Sequence, residues 1–325
     1  MVSATSPKLF TPFTLGGKKS PVKLKHHVVM APLTRLRTGE SGVPTPLVAE
    51  HYAQRTTTGG FLIAEATSTS PAARNYFDAP GLFTQAQVDG WKAVTKAVHD
   101  KEGKIFVQLW HAGRLGHPLN QPNGELPVSS SATSVDDIHT HAITREGRKD
   151  YVTPRALKIE EIPGIVADFK RAAENAIGSI ENRARIIFEV LEAALSSLPS
   201  SQVGIRLSPL DAIQAYGYVV NKLNDYDLAY VHVIERRGMH AANVQVPEVG
   251  VARHFRDTYK GVLITSSSFD REDALKTVAE GAADLVAFGR DFIANPDLVE
   301  RLRVGAEFNA QNSGYTDYPF LVQKQ

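Results

Sequence analysis

The sequence predicts an α/β fold: a TIM-type (β/α) barrel that is incomplete or distorted, with one strand–helix segment missing. Three observations carry this. Short apolar strand signals alternate with amphipathic helix signals from end to end, the pattern of a parallel sheet with helical crossovers. The chain has 325 residues, a length typical of one such barrel. Between the helices expected around Ala176 and Ile180 there is no strand signal, where an eightfold barrel requires one.

Residues 9–24 carry Pro, Gly and Lys signals and read as a cover segment or short hairpin. Strands are expected at 27–31, ended by Pro32, and at 60–64, ending in Glu65-Ala66-Thr67. A third is expected at 105–107, after the turn signal Glu102-Gly103. Further strands are expected at 203–207, 228–234, 261–264 and 284–288. Their continuous apolar runs suit strands buried on both faces. Helical spacing is read over 45–54, 84–99, 160–177, 180–195, 216–223, 271–280 and 296–304. Thr84 is placed as an N-cap and Pro296 in a first turn. Residues 115–154 are polar, rich in Ser, Thr and Pro, and too long for a plain connector, which predicts a functional excursion or lid.

Composition removes several function classes. With 36 basic and 35 acidic residues the net charge is +1, which offers nothing to nucleic acid or an anionic membrane. The chain has no cysteine, so disulfides, thiol catalysis and thiolate metal sites are excluded. No apolar run reaches the roughly 18 residues of a membrane span, and the N-terminus lacks the apolar core of a signal peptide. A cytoplasmic protein acting on a small molecule is expected, with one domain over 1–325 and no metal site.

Polar groups recur where strands end: Thr34, Glu65, Gln108, Arg206 and Arg290. In a barrel these ends share one mouth. The stretch 104–114, KIFVQLWHAGR, passes from an apolar strand into Gln108, Trp110, His111 and Arg114. A buried amide there needs a hydrogen-bonding partner, which either the protein or a ligand supplies. The turns after the last two strands, at Ser266–Ser268 and Gly289-Arg290, lie where many barrels hold a phosphate. A phosphate site, a polar strip and Trp110 together suggest a planar phosphorylated cofactor. Salt bridges at a barrel rim are the plainer reading of each arginine.

The motifs VVMAPLTRLR (28–37), EHYAQR (50–55), GGFLIAEAT (59–67), FVQLWHAGR (106–114), SIENRAR (179–185), VGIRLSP (203–209), DLVAFGRDFIANPDL (284–298) and GYTDYP (314–319) follow one another in an order that resembles the Old Yellow Enzyme family of FMN-dependent ene reductases, which includes the 12-oxophytodienoate reductases. The resemblance implies an FMN-dependent NAD(P)H oxidoreductase that reduces activated C=C bonds of α,β-unsaturated carbonyl compounds, with NADPH or NADH as hydride donor. It implies that Pro32, Leu33 and Thr34 line the flavin, that Ala66 and Gln108 meet its pyrimidine edge, and that Arg206 stands beside N1 and O2. It implies a phosphate cradle at Ser267, Ser268, Gly289 and Arg290. Tyr76, Trp110 and Tyr315 correspond to the substrate side of the ring.

The sequence departs from the family in one place above all. The family segment holding the fourth barrel strand, the His-His or His-Asn pair that grips the substrate carbonyl oxygen, and the proton-donor Tyr is absent, since AAENAI runs directly into GSIENR. No catalytic residue is assignable by motif. His111 and His117 lie nearby without matching the missing roles. Weak or lost ene reduction is therefore expected. The alternative is a non-catalytic relative that holds flavin only structurally or not at all.

Overall fold

The computed structural model describes residues 6–16, 21–74, 76–135, 141–175, 188, 191–192, 194–196, 198–209, 213–235 and 247–309. The SIENRAR and GYTDYP motifs, with Tyr315, lie outside the described residues, as does most of the helix expected at 180–195. Among the described residues the main sheet has seven strands, all parallel to their neighbours. We name them β1 (Val28–Met30), β2 (Phe61–Ser68), β3 (Lys104–Trp110), β4 (Gly204–Leu207), β5 (Tyr230–Ile234), β6 (Leu263–Ser266) and β7 (Leu285–Phe288). Their order across the sheet is β4-β5-β6-β7-β1-β2-β3. The last strand thus pairs with the first, Val286 opposite Val28.

The sheet is curled into a barrel. β3 and β5 stand five strands apart in the order, which in a flat sheet would separate them by about 24 Å at roughly 4.8 Å per strand. Instead the Phe106 ring of β3 lies 5.9 Å from the Tyr230 ring of β5, and Phe61 of β2 lies 5.7 Å from Tyr230. These rings join Val29, Ile63, Ile264, Leu285 and Ala287 in one inner core. Gly204 is required here, because a Cβ would fall 2.3 Å from the Tyr230 ring.

The helices named here are α1 (Pro46–Gln54), α2 (Gln85–His99), α3 (Ile162–Asn175), α4 (Ile213–Lys222), α5 (Val251–Arg256), α6 (Arg271–Ala279), α7 (Arg290–Ala294) and α8 (Leu298–Val304). They cover the outside of the sheet, burying residues such as Val48, Val94 and Val278 against Val28, Leu62 and Val286. Thr84 caps α2 as expected: Gln87 N–H donates to Thr84 Oγ1 at 3.3 Å, and Thr84 N–H donates to Gln87 Oε1 at 3.1 Å. This reciprocal pair satisfies two backbone donors at once. Arg55 ties α1 to α7, donating to the carbonyls of Phe292 at 2.7 Å and Ile293 at 2.9 Å.

Several expectations are corrected. α8 begins at Leu298 behind Asp297, so Pro296 precedes the helix rather than opening it. α4 starts three residues before the expected 216. α5 and α7 are short helices in stretches read as loops. Their six and five residues are too few for a periodic signal. The expected hairpin near the N-terminus is present, Phe13–Leu15 antiparallel to Val22–Leu24.

The missing stave leaves a seam. Among the described residues nothing pairs with the outer edge of β3 or of β4. All seven residues of β3 are half-buried, whereas all four of β7 are buried. The flanking strands have not closed into a seven-membered ring; a cavity of about 830 Å³ lies between them.

Candidate active site at the barrel mouth

Because every strand of the sheet runs the same way, the strand C-termini share one end, and sheet order sets the neighbours there. Pro32–Thr34 follow β1, Ala66 lies near the end of β2, and Gln108 and Trp110 near the end of β3. Arg206 lies in β4, Ser267 and Ser268 follow β6, and Gly289 and Arg290 follow β7. Ala66 pairs in register with Gln108. A Cβ on Gly289 would come within 3.2 Å of the Leu33 side chain, so the β7 turn and the β1 turn touch. Arg290 donates to Ser268 Oγ at 3.4 Å, joining the two turns expected to form the cradle. Gln108, Trp110 and Arg206 line the same 830 Å³ cavity, which opens along the seam.

Glu65 is the exception among the polar strand ends. Its carboxylate turns away from the barrel interior, toward α1. Arg35 N–H donates to Glu65 Oε2 at 2.9 Å and Tyr52 O–H to Oε1 at 3.4 Å, while Glu65 N–H donates to the Tyr52 hydroxyl at 2.9 Å. A register shift between Ile63 and Ala66 explains the change of face. Burial pushes this carboxyl up to about 7, although the Arg35 N–H and charge and the Tyr52 hydroxyl pull the other way. Glu65 therefore braces the segment after Pro32–Thr34 rather than facing a ligand.

His232 on β5 is a mouth residue that strand reading overlooked. It pairs in register with Arg206, is fully buried, and sits 2.9 Å by its Nε2 from Ser266 Oγ. Burial, then the Arg206 charge, hold it well below its usual pKa, so it is neutral and Arg206 remains the cation. Its Nδ1 and the Trp110 indole N–H are buried without a hydrogen-bond partner among the described residues. The available signal was a single His inside the apolar run YVHVI.

The excursion after β3 folds over the segment carrying Tyr76. Ala112 N–H donates to the Ala73 carbonyl at 3.0 Å, the Gln121 amide to the Arg74 carbonyl at 2.9 Å, and Phe77 N–H to the Ile143 carbonyl at 2.9 Å. Tyr76 is half-buried under this cover. The two histidines of the region are engaged locally. Gly113 N–H donates to His111 Nδ1 at 3.0 Å and Leu119 N–H to His117 Nδ1 at 3.2 Å. Burial lowers the pKa of both. Neither is set up as a proton donor through Nδ1.

Ser267 and Ser268 adopt φ of 112° and 48°. The turn thus demands left-handed backbone from residues with a Cβ, at a typical cost of about 1–3 kcal/mol per residue. Ser267→Gly is expected to raise unfolding stability by about 1 kcal/mol or more, read as a shift in urea midpoint at constant slope. An unchanged or lower midpoint would show that the Ser267 side chain compensates the strain.

The match to known proteins follows this geometry. The sequence profile of the NADH:flavin oxidoreductase / NADH oxidase family matches residues 8–177 and 174–309. The two pieces meet where the fourth strand is missing. The chain is 36% identical to 12-oxophytodienoate reductase 1 of Oryza sativa subsp. japonica over 376 positions, covering 99% of this chain and 96% of the relative. About fifty of those positions have no counterpart in the 325 residues here. It is 37% identical to 12-oxophytodienoate reductase 2 of Arabidopsis thaliana over 97% of this chain and 96% of that protein. Among solved structures, morphinone reductase superposes with a TM-score of 0.85 at 37% identity, covering 98% of this chain and 97% of that one. Morphinone reductase bound to tetrahydroNAD gives 0.83 at 37% identity, with 96% and 97% covered. The chain belongs to the NADH:flavin oxidoreductase / NADH oxidase family, the FMN-dependent Old Yellow Enzymes.

Proposed function

We propose that the barrel mouth binds FMN and that the protein is an NAD(P)H oxidoreductase of the ene-reductase type with impaired alkene reduction. The observation that carries this is the convergence of Gln108, Trp110 and Arg206 on one cavity at the end of the sheet that also holds the β6 and β7 turns. The donor set fits a flavin: one arginine, one amide, and two buried nitrogens with no protein partner. Bound FMN would supply the hydride chemistry, taking hydride from a nicotinamide and passing it to an acceptor.

The chain's own residues bind and orient. Arg206 places a cation beside the ring, where it would favour the reduced, anionic form. A neutral His232 beside Arg206 leaves that charge undivided. Gln108 and Ala66 would meet the pyrimidine edge, and Pro32, Leu33 and Thr34 would line the ring. Ser267, Ser268, Gly289 and Arg290 would hold the phosphate through backbone N–H groups and one guanidinium. Tyr76 and Trp110, under the excursion, would face the substrate, as would Tyr315.

The purified protein is expected to be yellow, or to become so on adding FMN. Arg206→Met should weaken FMN binding about tenfold and make the flavin harder to reduce, with Arg206→Lys recovering part of both. Colourless protein that takes up no FMN would overturn the assignment. The second reading, flavin held structurally or not at all, draws on the strained Ser267–Ser268 turn. Normal FMN binding without any NADPH oxidation would favour it.

A further inference from the structure

The seam between β3 and β4 carries two kinds of unmet demand. The first is backbone. Lys104 N–H donates to the Gly60 carbonyl on the β2 side at 2.9 Å. Alternation along the strand turns the peptide groups of Ile105 and Val107 the other way, to the open edge. Among the described residues no strand pairs there or with the outer edge of β4. The second is apolar surface: Ile105, Val107, Leu109 and Ile205 line the cavity, and Phe169 of α3 and Leu198 roof it from outside. A small apolar molecule would answer the second demand and leave the first unmet.

We propose that this seam is a strand-acceptor groove that takes an extended apolar peptide segment from another polypeptide as the eighth strand of the barrel. The width fits one strand. The seven strands superpose on a complete relative with a TM-score of 0.85, so the ring has kept its circumference and lacks a single stave. The length follows from the rims. β3 has seven residues and β4 four, so the incoming segment pairs over about four to seven residues, roughly 13–23 Å at ~3.3 Å per residue. Both its faces are apolar, because Phe106 faces the inner core while Ile105, Val107 and Leu109 face the outer one. It runs parallel to both rims, completing the all-parallel ladder. A second copy of this chain is a poor source, since each of its seven described strands is already built into its own sheet. Addition of a strand to an open edge gains affinity from main-chain hydrogen bonds and selectivity from side-chain pockets.

The test uses the full chain and a labelled synthetic peptide carrying the fourth barrel strand of the rice 12-oxophytodienoate reductase 1, with and without FMN. Saturable one-to-one binding is expected, with amide exchange at 105–109 and 204–207 slowed about tenfold or more and β7 unaffected. A version with prolines at alternate positions loses main-chain donors and should not bind. Equal binding of the proline version or of a scrambled peptide overturns the proposal. So does unchanged exchange at both rims, uptake of decanoate with no uptake of peptide, or a native dimer in which both rims are already protected.

Discussion

Assayed beside an intact 12-oxophytodienoate reductase, the protein is expected to reduce 2-cyclohexenone at least about 10³-fold more slowly, while NADPH still reduces its flavin and oxygen or a quinone still reoxidises it. Removing one oxyanion donor typically costs about 10²–10³ in rate. Loss of a positioned general acid costs about 10²–10⁴. The family segment that carries both donors and the acid has no counterpart between the matched pieces ending at 177 and beginning at 174. His111 and His117, the nearest substitutes, spend Nδ1 on the N–H groups of Gly113 and Leu119. Hydride delivery depends instead on Arg206, Gln108 and the turns after β6, β7 and β1, which are present. Stopped-flow absorbance separates the two halves. Alkene turnover matching the intact relative would mean that another group supplies the grip and the proton.

The second large effect concerns Glu65. Its carboxyl titrates near 4.5 when exposed and is pushed up to about 7 by burial. Below about pH 4.5 both folded and unfolded chains hold the proton, and stability is highest with respect to this group. Between about 4.5 and 7 the unfolded chain releases it while the folded chain keeps it, so stability falls as pH rises. Over that window the loss amounts to about 3 kcal/mol, and above pH 7 it is complete. Glu65→Gln mimics the protonated group. It should abolish this slope and make the variant more stable than the parent above pH 7, as read by urea denaturation across pH 5–8. A variant destabilised at pH 8 would show that the ionised carboxylate is worth more to Arg35 and Tyr52 than its burial costs.

Glu65 also shows where sequence reading reached its limit. It stood at a strand end beside Ala66 and was grouped with the mouth residues. The register shift between Ile63 and Ala66 puts the two on different faces. A one-residue irregularity moves a side chain from one side of a sheet to the other, and no period in an apolar run reports it. The EHYAQR motif is similar: Tyr52 and Arg55 are recognisable in sequence, yet their work is to brace Glu65 and the carbonyls of Phe292 and Ile293. His232 was missed for the opposite reason, as one polar residue in an apolar strand attracts notice only once its partners Arg206 and Ser266 stand beside it.

By itself, the order of apolar runs and helical periods determined that the strands are parallel, that seven are present, and that a stave is missing before residue 178. These are local patterns, and local patterns survive in a linear string. The left-handed demand on Ser267 and Ser268 was legible too, because the turn replaces residues that are often glycine in the family. Only the tertiary structure decided how the sheet responds to its missing member. Phe61, Phe106 and Tyr230 pack across the interior and hold the ring at its full girth, so β3 and β4 stay apart with an 830 Å³ cavity between them. Whether two edges meet depends on how large rings fill the space between them, a sum over residues distant in sequence that no single stretch contains.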